Sequence, residues 1–139
     1  MVRSSLASAQ RQRPVGAHWL VRRLPALREE LERQRDFRRE QLAHLIEHDQ
    51  NRASLVGYGP RATDEEAARA LREVRALVAA GARQALADIE LALTRMSDGT
   101  YGRCRTCDGP IAPAVLCAIP ATTLCRTCQL SVEDATSTA

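Results

Sequence analysis

Residues 104–128 read CRTCDGPIAPAVLCAIPATTLCRTC, and this stretch decides the fold of the C-terminal third of the chain. It contains two Cys-x-x-Cys pairs, formed by Cys104 with Cys107 and by Cys125 with Cys128. A tight turn through each pair aims two thiolates at one point, and two pairs complete the tetrahedron in which proteins hold Zn²⁺. Because sulfur fills all four positions, none is left for water or substrate. The pattern therefore indicates one structural zinc ion and argues against zinc catalysis.

Two disulfides, or four thiols without a metal, are the alternatives for these cysteines. Residues 1–16 carry arginines but no apolar run behind them, so they do not read as a secretory signal. Five cysteines without an export signal indicate a reducing, cytoplasmic location, and no segment is long and apolar enough to span a membrane. Cys117, outside the pairs, is predicted to be a small buried apolar residue, with a redox sensor as the alternative.

The composition favours long, thin helices. Of the 139 residues, 45% are hydrophobic but only 3% are aromatic, and strong helix formers (Ala, Leu, Arg and Glu) dominate. All 20 basic residues are arginine, and the net charge of +3 is only a weak hint of nucleic-acid binding because acidic and basic residues are interleaved. The sequence holds no Ser-His-Asp set, phosphate loop or paired carboxylates, so an enzyme is not expected.

The first helical pattern runs from about residue 17 to residue 49. Its apolar stripe recurs at steps of three and four residues through Leu20, Leu24, Leu27 and Leu31, and resumes at Leu42, Leu45 and Ile46. Because proline is tolerated only in the first turn of a helix, the regular helix is predicted to begin at Pro25, with residues 17–24 as an irregular lead-in. Trp19 and Phe37 are predicted to be packing residues.

A break spans residues 50–62, and a second helix is predicted to begin with a capping box formed by Thr63 and Glu66. Its apolar stripe comprises Leu71, Val74, Val78, Ala82, Ala85, Ile89, Ala92 and Met96. The helix is predicted to end near Gly99, since glycine suits the left-handed residue that follows a helix. Neither helix can bury its stripe alone, so the two are predicted to pack as an antiparallel pair.

The predicted fold is mainly α: a long antiparallel two-helix coiled-coil hairpin with a C-terminal four-cysteine zinc ribbon. The predicted units are a basic N-terminal arm at residues 1–16, the hairpin at 17–98 with its tip at about 50–66, the zinc finger at 99–130 and a tail at 131–139. Because the finger segment has few apolar residues, its folding is predicted to depend on zinc.

Residues 88–128 carry a resemblance to a known family. They read Asp-Ile-Glu-Leu-Ala-Leu-x4-Asp-Gly-Thr-Tyr-Gly-x-Cys-x2-Cys, followed by Pro110, Ile111, Leu116, Pro120 and the second cysteine pair. This pattern resembles the DksA/TraR family of C4 zinc-finger transcription regulators, and the preceding hairpin agrees in architecture. Tyr101 belongs to the family motif and is expected to pack where the hairpin meets the finger. The glycine that usually follows the second ligand is Asp108 here.

The resemblance implies a protein that binds RNA polymerase rather than DNA, inserts its hairpin into the secondary channel and modulates initiation. Acidic residues at the hairpin tip lie near the active centre in this family, which makes Asp64, Glu65 and Glu66 the polymerase-tip candidates. The best-studied tip pattern, Asp-x-x-Asp-x-Ala, falls here on Arg61, Asp64 and Glu66, so only the second Asp is kept. The alternative is that these acids only complement the helix dipole.

This chain also departs from the family pattern at positions that concern ligand binding, and two other functions stay open. Where alarmone-responsive relatives present basic groups, this chain has Asp88, Ile119 and Gln129, so ppGpp dependence is expected to be weak or absent. One alternative function is a nucleic-acid-binding zinc module that contacts phosphates through first-helix arginines: Arg22, Arg23, Arg28, Arg35, Arg38 and Arg39. The other is a diverged protein–protein adaptor whose hairpin binds another protein or a second copy of itself.

Overall fold

The computed structural model describes residues 15–54 and 62–137. Within these ranges the chain forms four helices: α1 (Val15–Ser54), α2 (Ala62–Asp98), α3 (Pro113–Ala118) and α4 (Arg126–Ser137). The described residues form no β-strand, and an isolated antiparallel bridge joins Arg103 to Pro110. None of these helices has the length and apolar character needed to cross a membrane.

The two long helices pack against each other as an antiparallel hairpin. Near the finger, Arg39 of α1 donates to Glu90 of α2 over 3.1 Å. Toward the tip, the Arg75 guanidinium of α2 contacts the His48 ring and lies 3.6 Å from the Asp49 carboxylate. Residue numbers rise along α1 as they fall along α2, so the helices run in opposite directions. The predicted fold class, a mainly α hairpin with a four-cysteine finger, is confirmed.

The start of α1 differs from the sequence prediction. The helix begins at Val15 and continues through Pro25, so the predicted irregular lead-in at residues 17–24 is wrong. Proline removes one backbone hydrogen bond from a helix interior. Side chains on the preceding turns nevertheless pack against the core beside the finger: Trp19, Leu20 and Leu24. This tertiary packing holds the segment helical in spite of the proline, and it confirms the predicted packing role of Trp19.

The core lies at the base of the hairpin, where both long helices meet the finger. Its buried members are Leu27 and Leu31 of α1, Ile89, Ala92 and Met96 of α2, and Tyr101, Cys104, Ile111 and Leu116 of the finger. Nearer the tip, Val74 and Val78 are 55% and 43% exposed, so the predicted burial of the stripe is confirmed only in its lower half. Two helices without a third element cannot cover a wide apolar stripe. Phe37, predicted to pack, is also exposed, with the Arg38 guanidinium over its ring.

The helix ends agree in part with the prediction. α2 ends at Asp98, and Gly99 follows with a φ of 76°, as the sequence indicated. α1 continues to Ser54, which is further than the predicted break allowed. Thr63, predicted as a cap, lies within α2, which begins at Ala62.

The remaining predicted boundaries are only partly within the described residues. Residues 1–14 of the predicted arm and residues 55–61 of the predicted tip, including Arg61, lie outside them. At the other end, residues 131–137 of the predicted tail continue α4 as a helix. The division into arm, hairpin, finger and tail stays a prediction.

Candidate metal centre

The four predicted cysteines meet at one point at the base of the hairpin. Their thiols all lie within 4.8 Å of one another, and the Sγ atoms of Cys107 and Cys125 are 3.7 Å apart. Four sulfurs placed about 2.3 Å from a tetrahedral zinc ion are separated from each other by about 3.8 Å. The spacing therefore fits one zinc ion. Among the residues 15–54 and 62–137, no other group of three or more metal-ligating side chains comes together in this way.

The first cysteine pair lies on a tight turn that backbone hydrogen bonds close. The Cys104 N–H donates to the Gly109 carbonyl over 2.8 Å, and the Asp108 N–H donates to the Cys104 carbonyl over 3.0 Å. This turn includes one left-handed residue, Asp108, with a φ of 57°. The Asp108 carboxylate lies 3.5 Å from the Arg103 guanidinium in an exposed ion pair.

The second cysteine pair lies at the start of α4. The Gln129 N–H donates to the Cys125 carbonyl over 2.9 Å, so Cys125 precedes the first helical turn and Cys128 lies within it. The positive end of a helix favours negatively charged groups such as thiolates. A hydrogen bond from the Arg105 N–H to the Thr123 carbonyl, over 2.9 Å, ties the two cysteine turns together. The second pair is thus positioned by a helix start, whereas the sequence predicted a tight turn.

The pKa values of two of these thiols are strongly shifted. Hydrogen bonds from the backbone of Cys107, and then of Cys125, lower the pKa of Cys104 to about 6. The hydrogen bond with the Cys125 thiol raises the pKa of Cys128 to about 12. Four thiolates at this distance repel each other, and a dication between them would favour the thiolate form of all four. The donor set therefore fits Zn²⁺, which would tie both turns together.

Comparison with known proteins places this site in a family. Residues 99–134 match the prokaryotic dksA/traR C4-type zinc finger. This segment of the chain is a DksA/TraR-type zinc finger. The family match and the four adjacent thiols together indicate one structural zinc ion.

Two further comparisons give a similar protein and a similar solved structure. An uncharacterized protein from Aquifex aeolicus (strain VF5) is 42% identical over 53 residues, a stretch that covers 38% of this chain and 37% of that relative. The chain therefore matches well under half of the relative's length. The structure of transcription factor DksA2 from Pseudomonas aeruginosa matches 90% of this chain and 94% of its own chain, with a TM-score of 0.72. At 22% identity, this likeness shows the fold.

The loop between α2 and the DksA/TraR finger packs tightly at the junction. Tyr101 is 5% exposed, and its hydroxyl donates to the Pro120 carbonyl over 2.7 Å, which confirms the predicted junction role. Burial raises the pKa of Tyr101 to about 12. Gly102 has a φ of 86°, and a Cβ at this position would lie 2.7 Å from Leu20 Cδ2 of α1. The junction therefore joins the finger to both long helices.

One junction residue, Arg95, had no functional signal in the sequence. An arginine in the last turn of a helix ordinarily complements the helix dipole at the surface. Here its side chain is 8% exposed and donates hydrogen bonds to the carbonyls of Thr100 and Arg103. Periodicity does not distinguish this arginine from the exposed ones.

The other predicted site residues lie away from the finger's cysteines. Asp64, Glu65 and Glu66 are exposed near the start of α2, at the end of that helix opposite the finger. Cys117, predicted to be buried, is exposed on α3. The prediction failed because α3 has one buried residue, Leu116, which directly precedes Cys117 in the helix.

The three positions on which the ppGpp prediction rests come together in the structure. Asp88, Ile119 and Gln129 line a groove of about 570 Å³ beside α3 and α4. The charged residues that line the groove are Asp88, Arg126 and Glu133, so its charge balance is acidic among the described residues. An acidic groove disfavours a highly negative ligand.

Proposed function

We propose that this protein is a non-enzymatic, cytoplasmic regulator of transcription that binds RNA polymerase. Its hairpin enters the secondary channel, and Asp64, Glu65 and Glu66 at the tip modulate initiation. Cys104, Cys107, Cys125 and Cys128 bind the structural zinc ion that holds the base of the hairpin. The observation that carries the proposal is the DksA/TraR finger at the base of a long antiparallel hairpin with acids at its far end.

The dimensions of the hairpin support its insertion into the secondary channel of RNA polymerase. α2 has 37 residues, and at about 1.5 Å of rise per residue it extends for about 55 Å. The core lies at the finger end, so the outer half of the hairpin is thin. Apolar side chains such as Val74 and Leu77, which are 55% and 74% exposed, are available there for contact with a protein.

The contacts of three of the six first-helix arginines argue against the nucleic-acid alternative. Arg35 pairs with Asp36 over 3.2 Å, and Arg39 pairs with Glu90 over 3.1 Å. Arg38 donates to the Gln41 side chain over 3.0 Å. Arginines whose charge is offset by neighbouring acids are a weak phosphate-binding surface. Retention on nucleic acid that falls steeply with salt would favour the alternative instead.

We also propose that ppGpp has little or no effect on this regulator. Support comes from the groove at Asp88, Ile119 and Gln129: none of these three residues is basic, and the groove is lined by two acidic residues and one arginine. A transcription assay in which ppGpp changes the effect of this protein severalfold would contradict the proposal.

Retention on immobilised core RNA polymerase tests the main proposal. Wild type should be retained, and a chain lacking residues 50–66 should lose regulation of initiation in a reconstituted transcription assay. Glu73→Gln is the matched control, because it removes one exposed acid of α2 away from the tip. If wild type is not retained, polymerase binding is wrong. If the tip deletion regulates as well as wild type, the tip mechanism is wrong.

A further inference from the structure

Arg95 is a buried cation without an anionic side-chain partner. Its side chain is 8% exposed at the end of α2, and it is the only charged or polar residue in the buried part of the described chain. No carboxylate forms an ion pair with it in residues 15–54 and 62–137. Burying an unpaired charge is costly, so something other than a carboxylate must offset this one.

The backbone that precedes the first zinc ligand forms hydrogen bonds with both the side chain and the main chain of Arg95. The guanidinium donates to the Thr100 carbonyl over 3.0 Å and to the Arg103 carbonyl. In return, the Arg95 carbonyl accepts hydrogen bonds from the N–H groups of Thr100 and Tyr101, over 2.9 Å and 3.1 Å. Hydrogen bonds of Arg95 therefore hold residues 100–103 against the end of α2. The next residue in the chain is Cys104, which is 2% exposed.

The metal centre lies close to Arg95, since the Cys104 thiolate interacts with the guanidinium. Four thiolates around one Zn²⁺ carry a net charge of −2, and such a centre is stabilised by cations held in its surroundings. Burial lowers the pKa of Arg95, and the nearby Arg105 lowers it further, whereas the thiolate of Cys104 acts in the opposite direction and favours the charged guanidinium. Carbonyl groups accept the hydrogen bonds of the guanidinium, and a zinc–thiolate centre would supply the opposite charge.

We propose that Arg95 is a positioning residue that couples zinc occupancy to the end of the hairpin. With zinc bound, the loop at residues 100–103 is ordered, and its carbonyls hold Arg95 in place. When zinc is lost, the loop loosens, and Arg95 loses both its acceptors and its counter-charge. The last turn of α2 then frays, so the metal centre controls the rigidity of the hairpin base. This inference goes beyond the proposed function and does not depend on polymerase binding.

Zinc affinity of arginine variants tests this coupling. Arg95→Met in the full chain should weaken zinc binding about 10–100-fold in competition with a chelator, as expected for loss of a group that orients a ligand. Arg105→Met is the matched control, since it removes an exposed arginine next to the same ligand. It should change the affinity by less than about threefold. Arg95→Lys keeps the charge but loses the planar guanidinium, and it should restore part of the affinity.

Hydrogen exchange of wild type provides a test that does not require a variant to fold. Amides of residues 93–98 should exchange at least about tenfold faster after zinc removal, while those of residues 38–44, beyond the buried core of α1, should change less. Equal exchange at residues 93–98 with and without zinc would overturn the proposal. So would an Arg95→Met protein that binds zinc like wild type or no more weakly than Arg105→Met.

Discussion

The Tyr101 hydroxyl donates a hydrogen bond to the Pro120 carbonyl over 2.7 Å and ties the loop after α2 to the segment after α3. Both residues are buried. In Tyr101→Phe the carbonyl would keep its burial but lose its partner, which costs about 1–3 kcal/mol. Chemical denaturation of the zinc-loaded protein should show this loss in the free energy of unfolding. A change below about 0.5 kcal/mol would mean that water replaces the hydroxyl.

The same tyrosine should resist ionisation. Burial raises its pKa to about 12 in the folded protein, compared with about 10 for an exposed tyrosine. A raised folded pKa means that the contribution to stability is complete below about pH 10 and is lost as pH rises toward 12. The chain has two tyrosines, so absorbance at the tyrosinate band in Tyr58→Phe reports Tyr101 alone. A midpoint near pH 10 would contradict its burial.

Substitutions at two glycines with left-handed backbones distinguish the cost of backbone strain from the cost of a steric clash. Gly99 and Gly102 have φ values of 76° and 86°, but only at Gly102 would a Cβ meet another residue, Leu20 of α1. An L-residue in this region costs about 1–2 kcal/mol, so Gly99→Ala should lower stability by about that amount. Gly102→Ala should cost about 1–3 kcal/mol more, because α1 must move or Leu20 must leave its rotamer. Equal losses in thermal melts would show that α1 does not pack closely on this loop.

Asp108 offers a stabilising substitution. It is the one non-glycine residue with a positive φ, 57°, in the described chain, at the position where the family usually has glycine. Asp108→Gly should relieve strain of up to about 1–2 kcal/mol. It loses only an exposed ion pair with Arg103, which contributes about 0–1 kcal/mol. The expected outcome is a higher melting temperature with zinc bound, and Asp108→Ala should not share it. A lower melting temperature would show that the ion pair outweighs the strain.

Local patterns predicted the cysteine cluster and the end of α2. A four-cysteine site requires two short spacings, and Gly99 marks a helix end by its own backbone preference. What failed depends on contacts between distant segments. Pro25 lies inside α1 because the preceding turns pack on the finger, and Arg95 acquires its role from a loop that follows it. The exposure of Phe37 has the same origin, because within the described ranges no third element covers that part of the hairpin.

Photocrosslinking from position 65 tests whether the hairpin tip enters the secondary channel of RNA polymerase. Glu65 is exposed at the hairpin tip, and Glu133, exposed on α4 at the opposite end of the molecule, is the matched control position. With intact RNA polymerase, the probe at position 65 should crosslink to residues lining the secondary channel, whereas the probe at position 133 should not reach them. Absence of polymerase crosslinks from position 65, in a variant that keeps its zinc and helical content, would contradict the account.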